Sequence, residues 1–337
     1  MRRFFAWMLI WAGITVPAFG QQAKELQANG QRYLMQNDFS NALIVLKKAA
    51  ELEPANTDIL NDLGLAYFMA GQYKTGYDLL KVVAEGDKAD ERTFLVTCML
   101  LRGGRNIREA DQVYRIGLQR FPKSGALHAD YGEFLDLVES GRGIDWWVRG
   151  ITADPSYPGN YYHASRHFSE NNDFFWAALY GEIFVNLESY TTRSVEVKNI
   201  LYDSYKRLYA YELANGKGRN GFEKAVAATL QEQEAVASSG INPEVLTAIR
   251  TRFILQWFHK GLEAQFPFKL FDLQRQLLRE GIFDAYNQWL FGSAANVNAF
   301  QNWTKTHPEE YVAFNQYMRN RVFTVPTGQQ YKSVASK

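Results

Sequence analysis

Polar turns and amphipathic segments alternate along most of the chain. The stretch QNDFSNALIVLKKAAELEP, residues 36–54, begins with a polar turn, continues with apolar residues spaced three and four apart, and ends at a proline. This spacing places the apolar side chains on one face of an α-helix, and proline cannot continue a helix. The pattern therefore predicts one amphipathic helix between the turn and Pro54.

The same unit recurs at a step of 34 residues through the N-terminal half of the chain. Small residues occupy one position of each first helix and one early position of each second helix: Gly30, Gly64, Cys98 and Gly132; Ala42, Gly76 and Ala110. Small residues let two antiparallel helices approach closely, while larger neighbours fill the space around the contact. One such pair cannot bury its apolar face alone, so the repeat predicts a stack of helix pairs.

These spaced positions resemble the tetratricopeptide repeat (TPR). The first unit carries the resemblance at Leu26, Gly30, Tyr33, Ala42, Leu46, Ala49 and Pro54. Two further units match several of the same positions, and in the third Cys98 replaces the glycine. The resemblance covers roughly residues 23–188. It implies a helix-turn-helix solenoid of about five repeats over residues 21–188, whose first helices line a concave surface that takes peptides.

The period fades after Glu188, but helical patterns continue. They cover the segments Val195 to Leu213, Phe222 to Val236, Pro243 to Glu263, Pro267 to Arg279, Ile282 to Phe291, Val297 to Trp303 and Pro308 to Arg319. No alternating strand pattern competes with them. We predict an all-α fold, with the solenoid followed by a helical C-terminal domain over residues 189–321. The polar tail, residues 322–337, is predicted to be loose, with the alternative that its start, VFTVP, lies extended along the body.

The N-terminus has the pattern of an export signal. Arg2 and Arg3 precede an uncharged apolar run, and Ala18 and Gly20 supply the small residues that a signal peptidase needs. We expect residues 1–20 to be a signal peptide and the mature protein to be periplasmic or extracellular. Removing the two arginines changes the formal charge from +1 to −1. A nearly neutral chain has no electrostatic reason to bind nucleic acid.

Few residues suggest a catalytic, cofactor-binding or metal-binding site. The sequence GKGRNG, residues 216–221, fits a dinucleotide-binding motif, but a helical pattern precedes it where that motif needs a strand. His163, His167 and Glu170 share one helix face, so either a divalent metal site or ordinary polar contacts are possible. The single cysteine, Cys98, is flanked by apolar residues and is predicted to be a buried small residue. We predict no catalytic residues, no metal and no cofactor.

The register of the repeat places a set of polar and apolar residues on the first helices. The resemblance implies that these residues line the peptide groove: Gln27, Gln31, Leu34, Asn61, Leu65, Phe68, Arg92, Met99 and Arg102. Asn and Gln side chains can hydrogen-bond an extended backbone, and the apolar residues can hold side chains. The predicted function is a non-catalytic scaffold that binds another envelope protein or peptide segment through this groove, the C-terminal domain or both.

Two alternatives remain at this level. In the first alternative, the groove is solvated or filled by the chain's own tail. In the second, residues 190–337 form an enzyme or ligand-binding domain that the TPR arm docks. A closed pocket near Trp257, Trp289 and Trp303 would favour the second alternative. The segment Phe266 to Gly292 is dense in aromatic residues and is interpreted as core, with a partner groove as the other interpretation.

Overall fold

The computed structural model describes residues 15–213 and 220–332. Residues 1–14, which hold most of the predicted signal peptide, lie outside the described residues. So do residues 216–219 of the GKGRNG motif. Within the two described ranges the chain forms helices and turns and no strand, which confirms the all-α prediction.

The chain divides into two compact units, residues 1–127 and residues 128–337. The predicted boundary was residue 188. The physical reason for the difference is the core: one continuous buried cluster includes Trp147, Phe184 and Phe291. The helices just before residue 188 therefore share their apolar core with the helices that follow them.

Unit 1 is a TPR-type solenoid of helix pairs. Its helices are α1 (Thr15–Met35), α2 (Phe39–Leu52), α3 (Thr57–Met69), α4 (Tyr73–Glu85), α5 (Glu91–Gly103) and α6 (Ile107–Arg120). Each helix packs on the next, and α3 also contacts both α1 and α5. α1 begins before Gly20 and runs through the predicted signal cleavage point without a break.

The small residues of the repeat lie where the helices meet. A Cβ atom added at Gly64 would lie 2.5 Å from Leu80 Cδ1 and 3.3 Å from Val96 Cγ1. Gly30 faces Leu46 in the same way. Cys98, at the equivalent position of the third unit, is fully buried, which confirms the prediction for that residue. The close approach of first and second helices therefore explains why small residues recur at a step of 34 residues.

Unit 2 continues with helices on a larger, aromatic core. Helix α7 (Gly125–Val138) spans the division between the units, and after it come α8 (Ile144–Ala153), α9 (Pro158–Glu170), α10 (Phe174–Leu187), α11 (Thr192–Arg207), α12 (Gly221–Gln231), α13 (Glu234–Ala237), α14 (Pro243–His259), α15 (Leu262–Gln265), α16 (Lys269–Arg279), α17 (Phe283–Asn287), α18 (Ser293–Ala295), α19 (Val297–Thr306) and α20 (Pro308–Asn320). Two π-helical turns interrupt the series, Leu208–Glu212 and Gln288–Gly292.

The helix boundaries of unit 2 follow local signals in the sequence. The Asn242 side chain accepts a hydrogen bond from the Val245 backbone N–H at 2.8 Å and so caps α14. The pattern from Pro243 to Glu263 is not one helix, because Gly261 adopts a left-handed φ of 65° and separates α14 from α15. None of the described helices combines the length and the apolarity needed to cross a bilayer.

The aromatic segment Phe266 to Gly292 is core. Phe271, Tyr286 and Phe291 are buried at 3% exposure or less. The first part of the tail is also packed, in contrast to the predicted loose tail. Residues 321–332 form no helix, residues 327–328 make a turn, and Phe323 and Val325 are buried in the core of unit 2. This arrangement agrees with the alternative in which VFTVP lies along the body.

The end of the described tail is held by side chains. The Tyr331 ring stacks on Phe222 with 4.1 Å between ring centroids, and the Tyr331 hydroxyl donates to the Pro267 carbonyl at 2.8 Å. Lys332 Nζ lies 3.0 Å from an Asp173 carboxylate oxygen. Few of the residues in these contacts occupy positions of the 34-residue repeat, so the repeat pattern does not predict the contacts.

Candidate partner-binding face

The first helices of unit 1 lie side by side and present one shared surface. The nine predicted groove residues belong to α1, α3 and α5, and we call the surface that carries them, together with Asp62, the first-helix face. Three of the predicted residues converge on Asp62. Gln27 Nε2 and Gln31 Nε2 donate to Asp62 Oδ2 at 2.7 and 2.8 Å, and Arg92 Nη2 donates to Asp62 Oδ1.

Asp62 is the centre of this network. Its side chain is buried, and the residue is only 1% exposed. A buried carboxylate is costly unless hydrogen bonds and an opposite charge compensate for the lost water. Gln27, Gln31 and Arg92 supply that compensation from two neighbouring helices. These polar groups therefore stabilise the face in the free protein, and they have hydrogen-bond partners before any peptide binds.

Apolar side chains flank the network. Leu34, Leu65, Phe68 and Met99 are each half-buried on the same three helices. Leu34, Leu65 and Phe68 pack against the core of unit 1 and keep part of their surface open. Phe68 is also 5.7 Å from Tyr73, ring centroid to ring centroid. The face thus offers fixed apolar contacts beside a hydrogen-bonded acid.

Two of the predicted residues have structural roles instead. Asn61 is fully buried and its Nδ2 donates to Asp90 Oδ1 at 3.0 Å. Arg102 donates to the Tyr114 hydroxyl at 3.4 Å. Asn61 has no exposed surface to offer to a partner, so the part of the face available for contact is smaller than the register predicted.

Asp62 also has a groove position in the repeat register, and the sequence holds a signal for its network. The hydrogen bonds to Asp62 span 35, 31 and 30 residues along the chain. Each span is one repeat of 34 residues, shifted by at most about one helical turn. Residues related in this way lie next to each other on adjacent first helices. A lone acid with two amides and an arginine at those spacings therefore predicts the network.

A small polar cavity lies in unit 2 between α7 and α9. Its volume is about 220 Å³, and its polar lining is Glu133, Asp136, His163, Arg166, His167 and Glu170. Burial lowers the pKa of His163 to about 4 and also lowers the pKa of His167, so both rings are neutral at pH 7. The His163 ring stacks on Trp147 with 5.2 Å between centroids. In the described ranges, no three His, Cys, Asp or Glu side chains are placed to hold a metal ion.

The three tryptophans of the alternative ligand pocket pack on different rings; Trp257 and Trp289 belong to one continuous core, and Trp303 packs against it. Trp257 is fully buried and packs on Phe271 at 5.0 Å between centroids. Trp289 packs on Tyr286, while Trp303 stacks on His307. A larger open cavity of about 570 Å³ lies elsewhere in unit 2, between α16, α20 and the start of the tail.

Comparison with known proteins agrees with the repeat. The family model described as "TPR repeat" matches residues 30–71, from the small residue of α1 to the end of the turn after α3. The chain contains a TPR repeat. No curated protein matches the chain significantly.

Solved TPR-type structures resemble the chain at low identity. MamA from Desulfovibrio magneticus RS-1, solved from residue 41 to its end, is 20% identical, with a TM-score of 0.39, over 50% of this chain and 97% of the solved chain. PilF of Pseudomonas aeruginosa is 15% identical, with a TM-score of 0.46, over 58% of this chain and 91% of PilF. A thermophilic TPR protein of Thermus thermophilus is 12% identical, with a TM-score of 0.45, over 53% of this chain and 98% of its own.

Proposed function

We propose that this protein is a non-catalytic scaffold that holds a segment of another protein on the first-helix face of unit 1. We further propose that it works in the cell envelope, after export directed by residues 1–20. The observation that carries the proposal is the set of half-buried apolar side chains, Leu34, Leu65, Phe68 and Met99, beside the Asp62 network.

The chemistry of the face indicates what it would recognise. A bound segment gains affinity by covering the exposed parts of Leu65 and Phe68, because burying apolar surface is worth about 25 cal/mol per Å². The hydrogen bonds of the Asp62 network are already formed, so the network holds the shape of the face and does not itself bind the ligand. We therefore propose a partner segment with apolar anchors and few charges, held against a preorganised surface.

Crosslinking with mass spectrometry on the tagged protein in its native envelope would identify the partner. The decisive variant is Leu65→Glu, which places a charge among the apolar anchors. Its matched control is Val82→Glu on α4, because Val82 is an exposed aliphatic residue of the same unit at 72% exposure. We expect Leu65→Glu to reduce crosslinks to the dominant partner at least about tenfold, the factor that 1.4 kcal/mol of lost contact energy gives, and Val82→Glu to leave them unchanged.

Other results would contradict the proposal. If both variants capture the partner as the unaltered protein does, the binding surface is not the first-helix face. Equal loss in both variants would indicate general damage to unit 1, which thermal unfolding would reveal. For export, N-terminal sequencing of the envelope fraction is expected to begin at Gln21. Recovery of the protein with its first twenty residues in the cytoplasm would refute that part.

A further inference from the structure

The larger cavity of unit 2 has the dimensions of a small-molecule site. Its volume of about 570 Å³ lies within the usual range of such sites, roughly 300–1,000 Å³. Helix α16 forms one wall and helix α20 the facing wall. The first tail residues, Arg321 to Phe323, complete the lining.

The charges that line this cavity have one sign. Lys269 and Arg321 are its charged residues, and no aspartate or glutamate of the described ranges is among the residues that line it. The side-chain amides of Gln276, Gln316 and Asn320 line it too. Amides, ammonium and guanidinium groups all donate hydrogen bonds, so the lining is rich in donors and complements a ligand that carries negative oxygen atoms.

One terminal nitrogen of Arg321 has a hydrogen-bond partner and the other has none among the described residues. Its Nη2 donates to the Asn186 carbonyl at 3.3 Å, and the guanidinium lies 5.4 Å from the centre of the Phe323 ring. Its Nη1 is buried and has no hydrogen-bond partner among the described residues.

Tyr317, on the last turns of α20, lies beside Arg321 but is not a hydrogen-bond partner of its Nη1. Burial raises the pKa of Tyr317 and the neighbouring Arg321 opposes the rise, so the hydroxyl stays protonated at pH 7. A hydrogen bond between the Tyr317 and Arg321 side chains also opposes the rise, but Nη1 itself has no hydrogen-bond partner among the described residues. An unsatisfied buried donor is unfavourable, and more so when it is charged. An anionic oxygen that reached Nη1 would remove this cost.

We propose that this cavity binds a small molecule that bears a carboxylate or a phosphate group, with Arg321 as the main partner of the anion and Lys269 as a second charge. A planar guanidinium suits both groups because it can offer two parallel N–H donors. The site goes beyond the proposed scaffold function and does not depend on it, because all its residues lie in unit 2 and none belongs to the first-helix face.

Isothermal titration calorimetry on the full chain tests the site. Inorganic phosphate and succinate are the two probes, and sodium chloride at matched ionic strength is the reference. We expect saturable heat from one of the probes, which also tells whether phosphate or carboxylate is preferred. Arg321→Met is expected to weaken this binding at least about tenfold, because it removes a charge-assisted hydrogen bond. Arg319→Met is the matched control, because Arg319 is exposed at the end of α20, two residues before Arg321, and does not line the cavity.

A second variant separates binding from folding. Gln316 lines the cavity and is exposed, so Gln316→Glu adds a repelling carboxylate without burying it. We expect Gln316→Glu to keep the melting temperature and to weaken anion binding by about the same factor. Heats from both probes that match those of chloride would overturn the proposal. Anion binding that survives in both Arg321→Met and Gln316→Glu would overturn it as well.

Discussion

Removing Arg250 from the core of unit 2 is expected to destabilise the protein strongly. Arg250 and Glu182 form an ion pair in which each side chain is at most 2% exposed. Glu182 Oε1 also accepts hydrogen bonds from Gln274 Nε2 and from the Tyr286 hydroxyl, each at 2.8 Å. Burial alone lowers the pKa of Arg250, but the Glu182 carboxylate reverses this effect, and the pKa is raised overall.

The size of the effect follows from what Arg250→Met leaves behind. Glu182 would remain buried as a charge with two neutral donors on Oε1, while Oε2 has no hydrogen-bond partner in the described ranges. Loss of one member of a buried ion pair costs about 3–5 kcal/mol. For a unit of this size, each kcal/mol shifts the melting temperature by roughly 2–4 °C, so we expect a fall of about 6–20 °C.

Urea unfolding followed by tryptophan fluorescence measures the change, because Trp176 and Trp257 are buried in the same unit. The double variant Glu182→Leu with Arg250→Met is the control. It removes both charges, so it should recover most of the lost free energy of unfolding. If Arg250→Met lies within about 1 kcal/mol of the unaltered protein, or if the double variant is no better than the single one, the reasoning from buried charge is wrong.

Three further predictions concern single residues. Gly64→Trp should cost several kcal/mol, since a Cβ atom alone would already lie 2.5 Å from Leu80 Cδ1; thermal unfolding measures this. Lys198 should be acetylated half-maximally near pH 7 by trace acetic anhydride, because burial lowers its pKa to about 7. For His163, the folded pKa of about 4 lies below the unfolded value of 6.5, so the unfolded chain takes up the proton first. Stability should therefore fall by on the order of 2 kcal/mol as the pH drops from about 6.5 to about 4, and His163→Gln should flatten this fall in urea unfolding.

Each of these predictions has a control and a contrary result. An unchanged melting temperature for Gly64→Trp would mean that the repeat register is wrong. Lys74 is 86% exposed at its side chain and serves as the reference amine; identical pH profiles for Lys74 and Lys198 would contradict the burial argument. For His163, equal pH dependence in the variant and the unaltered protein would assign the acid instability to other groups.

The periodic part of the fold could be predicted from the sequence, and the contacts between non-periodic residues could not. The spacing of Gly30, Gly64 and Cys98 encodes local helix pairs, and these are present in unit 1. The pairing of Glu182 with Arg250 spans 68 residues, and Arg250 lies beyond residue 188, where the repeat pattern has faded, so no local pattern predicts the pair. The core shared by Trp147 and Phe291 is equally non-local, which is why the predicted boundary at residue 188 differs from the division into units.

The candidate sites show the same limit. The repeat register placed Gln27 and Arg92 on the first-helix face, but it did not show that both bind Asp62. This finding changes how the face should be tested. Exchanging Arg92 for an acid would remove a partner of a buried carboxylate, so it would affect folding as well as binding. The half-buried Leu65 is the better position for a test because its exposed surface is not part of that network.

The packed tail has a consequence for how the protein is made. A ribosome adds Lys332 159 residues after Asp173, with which it pairs, and the Tyr331 ring likewise covers Phe222, which was synthesised earlier. Unit 1 has a core of its own and can pack during synthesis. Unit 2 cannot complete this part of its surface until residue 332 has been synthesised. A chain that stops before residue 321 would lack the Tyr331 ring over Phe222 and would expose more of this aromatic surface.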